Sequence, residues 1–469
     1  MSRTGRFAVG LAIVAVATSV ALRSGDSQQA EHPDVLLFIQ AASPDERDSK
    51  MALERIAASW RDGYTAMFVD LARLLRPAGP AGAVAAAIQP DSPVRRRLVR
   101  FIEKQTGENF GDDLDDWRRW MWSQPYDPHP DYAMFKGHVL AQIDPRFEVL
   151  LPAGVQATIR LDQIDWGGVP VDGIPLLDHP AHVPADQARY LKDKHVVFGL
   201  MVDGEARAYP KRILAWHELA RDTLGGQELA IVYCTLCGAV IPYRTESDGA
   251  SYHFRTSGLL YRSNKLMFDE ETHSLWSTVY GKPVVGPLVD RGPELDRLPV
   301  VTTTWGEWRA AHPGTTVLSL ETGYERDYRE GAAYRDYYRD DRLMFAVPES
   351  DDQLKNKAEV LVVSTSEPLA IATDFLEKNP VFEVEHSGSR YVVVTTSGGA
   401  NRVYETGGVR FVERVDDSRI ADSSGRTWHV AEEALRESRG ELPDAPRVAA
   451  HRTFWFAWHA HYPETVLIK

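Results

Sequence analysis

Two cysteines are all that a chain of 469 residues contains, and they stand as Cys234-Thr-Leu-Cys237. Thiols at C-x-x-C spacing have three chemistries open to them. Two thiolates within one turn form half of a soft-metal site for Zn or Cu(I). The same pair, with one thiol pKa depressed, cycles between dithiol and disulfide. The third is an inert disulfide that fastens a corner. For the metal reading, His217 is the best-placed further ligand by type, on a segment just before the cysteine run. His253, Met267, Asp269 and His273 follow the cysteines and are the candidates to complete a ligand shell.

Other chemistries find less support. Asp269-Glu270-Glu271 reads as a solvated acidic turn rather than an acid/base pair. Ser257-Gly258 is not part of a G-x-S-x-G elbow. Neither G-x-G-x-x-G nor a P-loop occurs, so a nucleotide cofactor is not expected. The net charge of -14 argues against a nucleic-acid partner, which needs a basic footprint.

The elements that must hold the thiols are legible around them. The apolar run Leu229-Ala-Ile-Val-Tyr233 reads as a strand, Gly238 permits a tight turn, and Ala239 to Tyr243 reads as the next strand. Upstream, Val196 to Val202 and Glu205 to Tyr209 flank Asp203-Gly204, a two-residue hairpin turn. A helix is expected over Lys211 to Asp222, ending before Gly225-Gly226. Ser247-Asp248-Gly249 marks another turn, and short β-type runs continue to Leu320.

Ahead of this lies a different kind of chain. Residues 31–125 carry apolar positions at helical spacing, as in Met51 to Trp60, Met67 to Leu75 and Val94 to Gln105. That pattern predicts a small α-helical domain, a packing or docking module that offers a surface to a protein partner. Trp117, Trp120 and Trp122 read as its core. Pro77 to Gln89 reads as loop, and Pro125 to Pro130 as a linker. At the start, Arg3 and Arg6 precede an apolar run from Phe7 to Leu22, the layout of a secretory signal, shorter than the ~20 residues of a spanning helix. Export to the periplasm or beyond is therefore expected, with a membrane tether if residues 1–30 stay attached. No cysteine follows the apolar run to carry a lipid.

An internal echo runs through the remainder. Trp305-Gly-Glu-Trp308 and Trp455-Phe-Ala-Trp458 share the pattern W-x-x-W-x-x-x-x-P-x-T. Leu191-Lys-Asp-Lys194 and Leu354-Lys-Asn-Lys357 precede them in the same order. This predicts one fold used twice. The second copy, 341–469, has no cysteine; where the first has its corner it offers Tyr391-Val-Val-Val-Thr-Thr-Ser-Gly-Gly399. A fold that needs no thiols moves weight from a staple toward a site grafted on one copy.

Several stretches together resemble a known family: Asp172-Gly-Ile-Pro175, Gly204-Glu-Ala-Arg-Ala-Tyr-Pro210, Trp216-His217-Glu218, Asp222-Thr-Leu-Gly-Gly226, Tyr233-Cys-Thr-Leu-Cys-Gly238, Ser257-Gly-Leu-Leu-Tyr261, Ser274-Leu-Trp-Ser277 and Gly286-Pro-Leu288. The chain from about 160 to 320 is similar to the bacterial domain of unknown function 3179. His217 gains its standing from that signature, and Thr235 departs from it, since the family typically has proline there. The resemblance implies a site and supplies no reaction. The fold expected is α+β: an α-helical domain (31–125), a β-rich domain with the C-x-x-C site (155–325) and a degenerate second copy (341–469). The expected function is a metal-binding (Cu or Zn) or redox-active dithiol site in an exported protein. The alternative is a binding or scaffold protein whose cysteines form a structural disulfide.

Overall fold

The computed structural model describes residues 32–74 and 92–469. The expected signal or anchor and the loop Pro77 to Gln89 lie outside the described residues. An α-helical region comes first and a β-rich region of several sheets comes after it, as the pattern predicted.

Seven α-helices, from Val35–Ala41 to Phe147–Leu150, build the helical region among the described residues. Asp45 and Asp113 start two of them by accepting the backbone N–H groups two and three residues on, which satisfies donors the helix leaves orphaned. Gly107, at φ 81°, closes Pro93–Thr106 in the left-handed conformation. Thr65–Leu74 is buried along almost its whole length and forms the axis, with Trp117 and Trp122 in the same core. Two further helices, Tyr132–Ala141 and Phe147–Leu150, extend this core past the linker at Pro125 to Pro130. The core then continues without a break onto the five-stranded sheet that begins with Ile164–Trp166. Asp165 on that strand clamps the junction, with Arg118 at 2.7 Å and Arg73 at 2.8 Å. Burial pushes its carboxyl up, but the two guanidinium groups outweigh that and hold it at about 2.

Beside an eight-stranded sheet in its second half, the β-rich region holds two layers that share a four-strand arrangement, the first with His182–Pro184 as a fifth strand at its edge. In the first, Val196–Val202 pairs antiparallel with Glu205–Pro210 and with Val301–Thr304, while Thr316–Leu318 runs parallel to Glu205–Pro210. In the second, Glu359–Val363 pairs antiparallel with Leu369–Ala372 and with Ala450–Phe454, while Val466–Ile468 runs parallel to Leu369–Ala372. Each layer feeds a short helix, Lys211–His217 or Thr373–Lys378, and then a three-strand meander. Each ends in a W-x-x-W helix whose first turn hangs on the Leu-Lys-x-Lys segment. Gly306 N donates to Asp193 O at 2.9 Å, and Phe456 N to Asn356 O at 3.0 Å. The motif's distal threonine is also explained: Trp308 Nε1 donates to Thr315 Oγ1, and Trp458 Nε1 to Thr465 Oγ1, both at 2.9 Å. A buried indole N–H needs a partner, and the threonine supplies it.

One sequence expectation is corrected here. The helix over Lys211 to Asp222 ends at His217, and Leu219–Leu224 is a strand paired with Gln227–Cys234. Glu218 makes the break by adopting φ 57°. The Asp203-Gly204 hairpin is present, with both turn residues at positive φ.

Candidate functional site: a buried dithiol at the end of a cleft

Gln227–Cys234 is a central strand, buried at every position from Leu229 onward, and it ends at the first thiol. The chain then reverses within Thr235, Leu236 and Cys237, closed by Cys237 N donating to Cys234 O at 3.2 Å. Gly238 sits at φ 64°, and a Cβ there would lie 3.0 Å from the Phe454 ring. Glycine is thus required twice, by conformation and by space. Phe454 N donates to Cys237 O at 2.7 Å, so the second layer grips the corner directly.

Both cysteines are free thiols and both are buried, with Sγ atoms 2.7 Å apart. A turn of two left-handed residues, Arg262 and Ser263, carries the next hairpin up to them. Asn264 Nδ2 donates to Cys237 Sγ at 3.1 Å, and Ser263 O faces the same sulfur at 3.6 Å. Lys265 follows, fully enclosed. Its Nζ lies 3.2 Å from Glu218 Oε2 and donates to Glu218 O at 3.1 Å. The other carboxylate oxygen of Glu218 accepts from Thr235 Oγ1 at 3.1 Å and Tyr334 OH at 3.2 Å. A buried ion pair therefore stands beside the dithiol.

The two sulfurs are held unequally. Burial pushes Cys234 up, but hydrogen bonds from Cys237 and from the backbone of Lys265 and Cys237 outweigh it, and the net direction is down. Cys237 goes well above its ordinary value, through burial first and then through donating to its neighbour. One thiol is prepared to ionise and the other to keep its proton, the split that a nucleophile and a resolving thiol require.

A narrow cleft of about 40 Å³ reaches Cys234. Val169, Ile174, Leu259, Leu260 and Leu266 wall it, and Glu218 and Lys265 reach it beside the sulfur; Cys237 does not line it. Tyrosines from the segment between the layers close the corner from above. Tyr337 OH donates to Leu236 O at 2.9 Å and Tyr338 OH to Thr235 O at 2.7 Å.

The sequence-predicted ligands do not gather here. His217 turns to Pro175 O at 2.7 Å and Tyr328 OH at 2.5 Å. Because Glu218 is left-handed, it is the glutamate of Trp216-His217-Glu218 that meets the thiol corner. His253 is exposed and paired with Glu271 at 2.5 Å. Met267 is core. Asp269 is buried and caps its own turn, accepting from Thr272 N at 2.6 Å and Trp276 Nε1 at 2.8 Å. His273 is exposed, stacked on Phe268. Among the described residues, no group of three or more His, Cys, Asp or Glu side chains is arranged to hold a metal ion. Sequence reasoning missed Glu218, Asn264, Lys265 and the three tyrosines. The signals were the repeated tyrosines of 324–338 and the polar Arg262-Ser263-Asn264-Lys265 between two strands.

Fold and site together define a β-rich protein with a helical N-terminal region and a buried dithiol facing an apolar cleft. The chain belongs to the family described as protein of unknown function (DUF3179), whose model matches residues 171–465. That match runs through the second layer as well as the first, farther than the resemblance over 160–320 suggested. No curated protein and no solved structure matches the chain.

Proposed function

We propose that Cys234 and Cys237 are a reversible dithiol–disulfide couple in which Cys234 meets the substrate. The observation that carries this reading is the asymmetry of the pair: Cys234 lines the cleft, while Cys237 lies behind it, its sulfur held by Asn264 Nδ2 and Ser263 O. In the reaction, the Cys234 thiolate attacks one sulfur of a substrate disulfide, whose S–S bond breaks, and the leaving thiolate takes a proton from solvent. Cys237 then gives up its proton and attacks the Cys234 sulfur. The second substrate thiolate departs, and a Cys234–Cys237 disulfide remains. Two electrons pass from the protein to the substrate, and a dithiol reductant restores the pair.

Redox titration in glutathione buffers with thiol counting tests this. A midpoint between about -120 and -300 mV is expected, as for working couples. Cys237→Ser should trap a mixed disulfide on Cys234, and Cys234→Ser should trap none. Permanently reduced thiols would sink the reading. Stoichiometric Zn or Cu that is lost in the double serine variant would establish the metal reading instead. A midpoint well below about -300 mV would favour the staple in a scaffold protein.

The two layers are best understood as one fold used twice, supported by their common element order, strand directions and Trp–Thr hydrogen bonds. Export rests on the composition of residues 1–22 alone. N-terminal sequencing of the protein recovered from its own cell envelope checks it.

A further inference from the structure

We infer that the Glu218–Lys265 pair tunes the thiol site: the Lys265 ammonium favours the Cys234 thiolate in addition to the hydrogen bonds from Cys237 and the backbone, and the Glu218 carboxylate opposes it. The inference rests on the dithiol reading for its purpose, but not for its readout, which is the charge state of one sulfur.

Three features of the structure point to it. The first is position. Glu218, Lys265 and Cys234 line one end of the same cleft, and Lys265 follows Asn264, which donates to Cys237. The second is burial. The side chains of Lys265 and Glu218 are 5% and 9% exposed, and an ammonium so enclosed is retained only where anions face it. The third is the backbone. Glu218 is held at φ 57°, a conformation that a glutamate adopts at a cost, and this is what brings its carboxylate to the corner. Three partners then fix the carboxylate, Thr235, Tyr334 and Lys265, and Lys265 also holds the Glu218 backbone carbonyl. A pair meant only to fill space would need neither the strained residue nor the thiol beside it.

Counting buried charge gives the sign of each perturbation. With Glu218 and Lys265 both charged, ionising Cys234 takes the cluster from neutral to one negative charge. In Lys265→Met the same step goes from one negative charge to two, which like-charge repulsion opposes. In Glu218→Gln it goes from one positive charge to none, which is favoured. In the double variant it again runs from neutral to one negative charge. The two single changes must therefore move Cys234 in opposite directions, and the double must bring it back.

The measurement is the pH dependence of iodoacetamide alkylation of Cys234 in the full, reduced chain, resolved by peptide mass spectrometry. The midpoint is expected to rise by about one to three pH units in Lys265→Met and to fall in Glu218→Gln, since a nearby charge typically moves a group that far. At pH 7 the alkylation rate in Lys265→Met should drop about ten-fold or more, one pH unit being a factor of ten. The double variant should lie near the wild-type midpoint. Shifts of the same sign in both single variants, or no shift in either, would overturn the inference, because loosened packing alone moves both alike. If Lys265→Met does not fold, Glu218→Gln decides alone: anything but a lowered midpoint rejects the role. Opposed shifts in a protein whose thiols never form a disulfide would reject the dithiol reading and leave this one standing. A working couple with unshifted midpoints would do the reverse.

Discussion

The two layers each make a sharp corner between the second and third strands of their meander, and the corners are built on opposite principles. Thr396 to Ala400 closes on itself, Ala400 N donating to Thr396 Oγ1 and Thr396 N to Ala400 O, both at 3.0 Å, with Asp417 accepting from Ser397 N at 2.6 Å and Arg452 donating to Gly399 O from outside. Cys234 to Gly238 closes around two sulfurs, a buried ion pair and three tyrosines. The helix before each corner differs in the same way. One ends in left-handed Glu218, the other in Asn379 at φ -126°. Yet the docking is reciprocal. Ala400 lies in a cluster with Trp305 and Trp308 of the first layer, and Cys234 and Cys237 in one with Phe454, Phe456 and Ala457 of the second. What the comparison teaches is that a sharp corner and its docking are common to both layers, whereas the thiols, the left-handed glutamate and the Glu218–Lys265 pair stand at one corner only. Local strain of this kind persists where surrounding structure over-determines it, and it clusters at working sites.

The largest effect should come from breaking the added charge. Glu218→Ala leaves the Lys265 ammonium buried without its carboxylate, and a loss of ~3–5 kcal/mol is expected in urea unfolding. Asn379→Ala, at the matching helix end, removes a side chain whose Nδ2 donates to Phe375 O at 2.9 Å and should cost ~1 kcal/mol. Equal losses at the two positions would erase the distinction between the layers.

Acid should separate the layers next. His461 follows the second W-x-x-W helix, stacked on Tyr261 of the first half, and neither ring nitrogen meets a hydrogen-bond partner. Burial lowers its pKa from 6.5 to about 3, with the Arg262 charge acting the same way. The folded state thus favours the neutral ring. Its contribution is complete above pH 6.5 and is lost as pH falls from there toward 3, at ~1.4 kcal/mol per pH unit. His461→Phe should flatten that slope, by ~2 kcal/mol at pH 5 relative to pH 7. An unchanged slope would assign the acid sensitivity elsewhere, with buried His451, also at about 3, the next to change.

How much of the molecule is readable from its sequence depends on distance along the chain. The Cys234–Gly238 corner and the Asp203-Gly204 hairpin are local turn chemistry, and both stand out. The α+β order stands out too, since periodicity changes from helical to strand-like along the chain. Leu219–Leu224 reads as helix from sequence because its strand state comes from pairing with Gln227–Cys234, which no local pattern states. Tyr132–Ala141 escapes notice for a related reason: Tyr132, Ala133, Phe135, Lys136, Gly137, Val139 and Leu140 are all buried, so no polar stripe marks one face. Lys265 and Tyr334 reach Glu218 only through tertiary folding, and their residue types give no hint of it. Sequence favours His217 over Glu218 because a left-handed glutamate at the helix end cannot be foreseen from composition.

Glycines at the two corners sharpen the comparison at smaller scale. Gly238 and Gly399 both have positive φ, 64° and 86°. A Cβ on Gly238 would press the Phe454 ring at 3.0 Å, whereas one on Gly399 would meet nothing nearer than 3.7 Å. Alanine at 399 should therefore cost only the left-handed backbone, ~1 kcal/mol, and alanine at 238 that plus displacement of an aromatic ring, ~2–3 kcal/mol. Melting curves of the two variants measure the difference, and equal losses would mean that the cysteine corner yields as freely as its counterpart.

A modest change in stability should accompany the largest change in chemistry. Cys234→Ala/Cys237→Ala removes both sulfurs from a corner whose counterpart folds without any. The turn keeps the Phe454–Cys237 backbone hydrogen bond and the tyrosine contacts to the carbonyls of Thr235 and Leu236, none of which uses a thiol. What is lost is the packing of two small buried groups, ~1 kcal/mol or less each, and the hydrogen bond that Asn264 Nδ2 donates to Cys237 Sγ, ~1 kcal/mol. Thiol exchange should vanish outright. A fall of several kcal/mol measured under oxidising conditions, absent when wild type and variant are compared fully reduced, would instead be the mark of a cross-link in the wild-type chain. The thiols would then belong to the fold after all, and the second layer would have replaced a staple with a threonine rather than lacked a site.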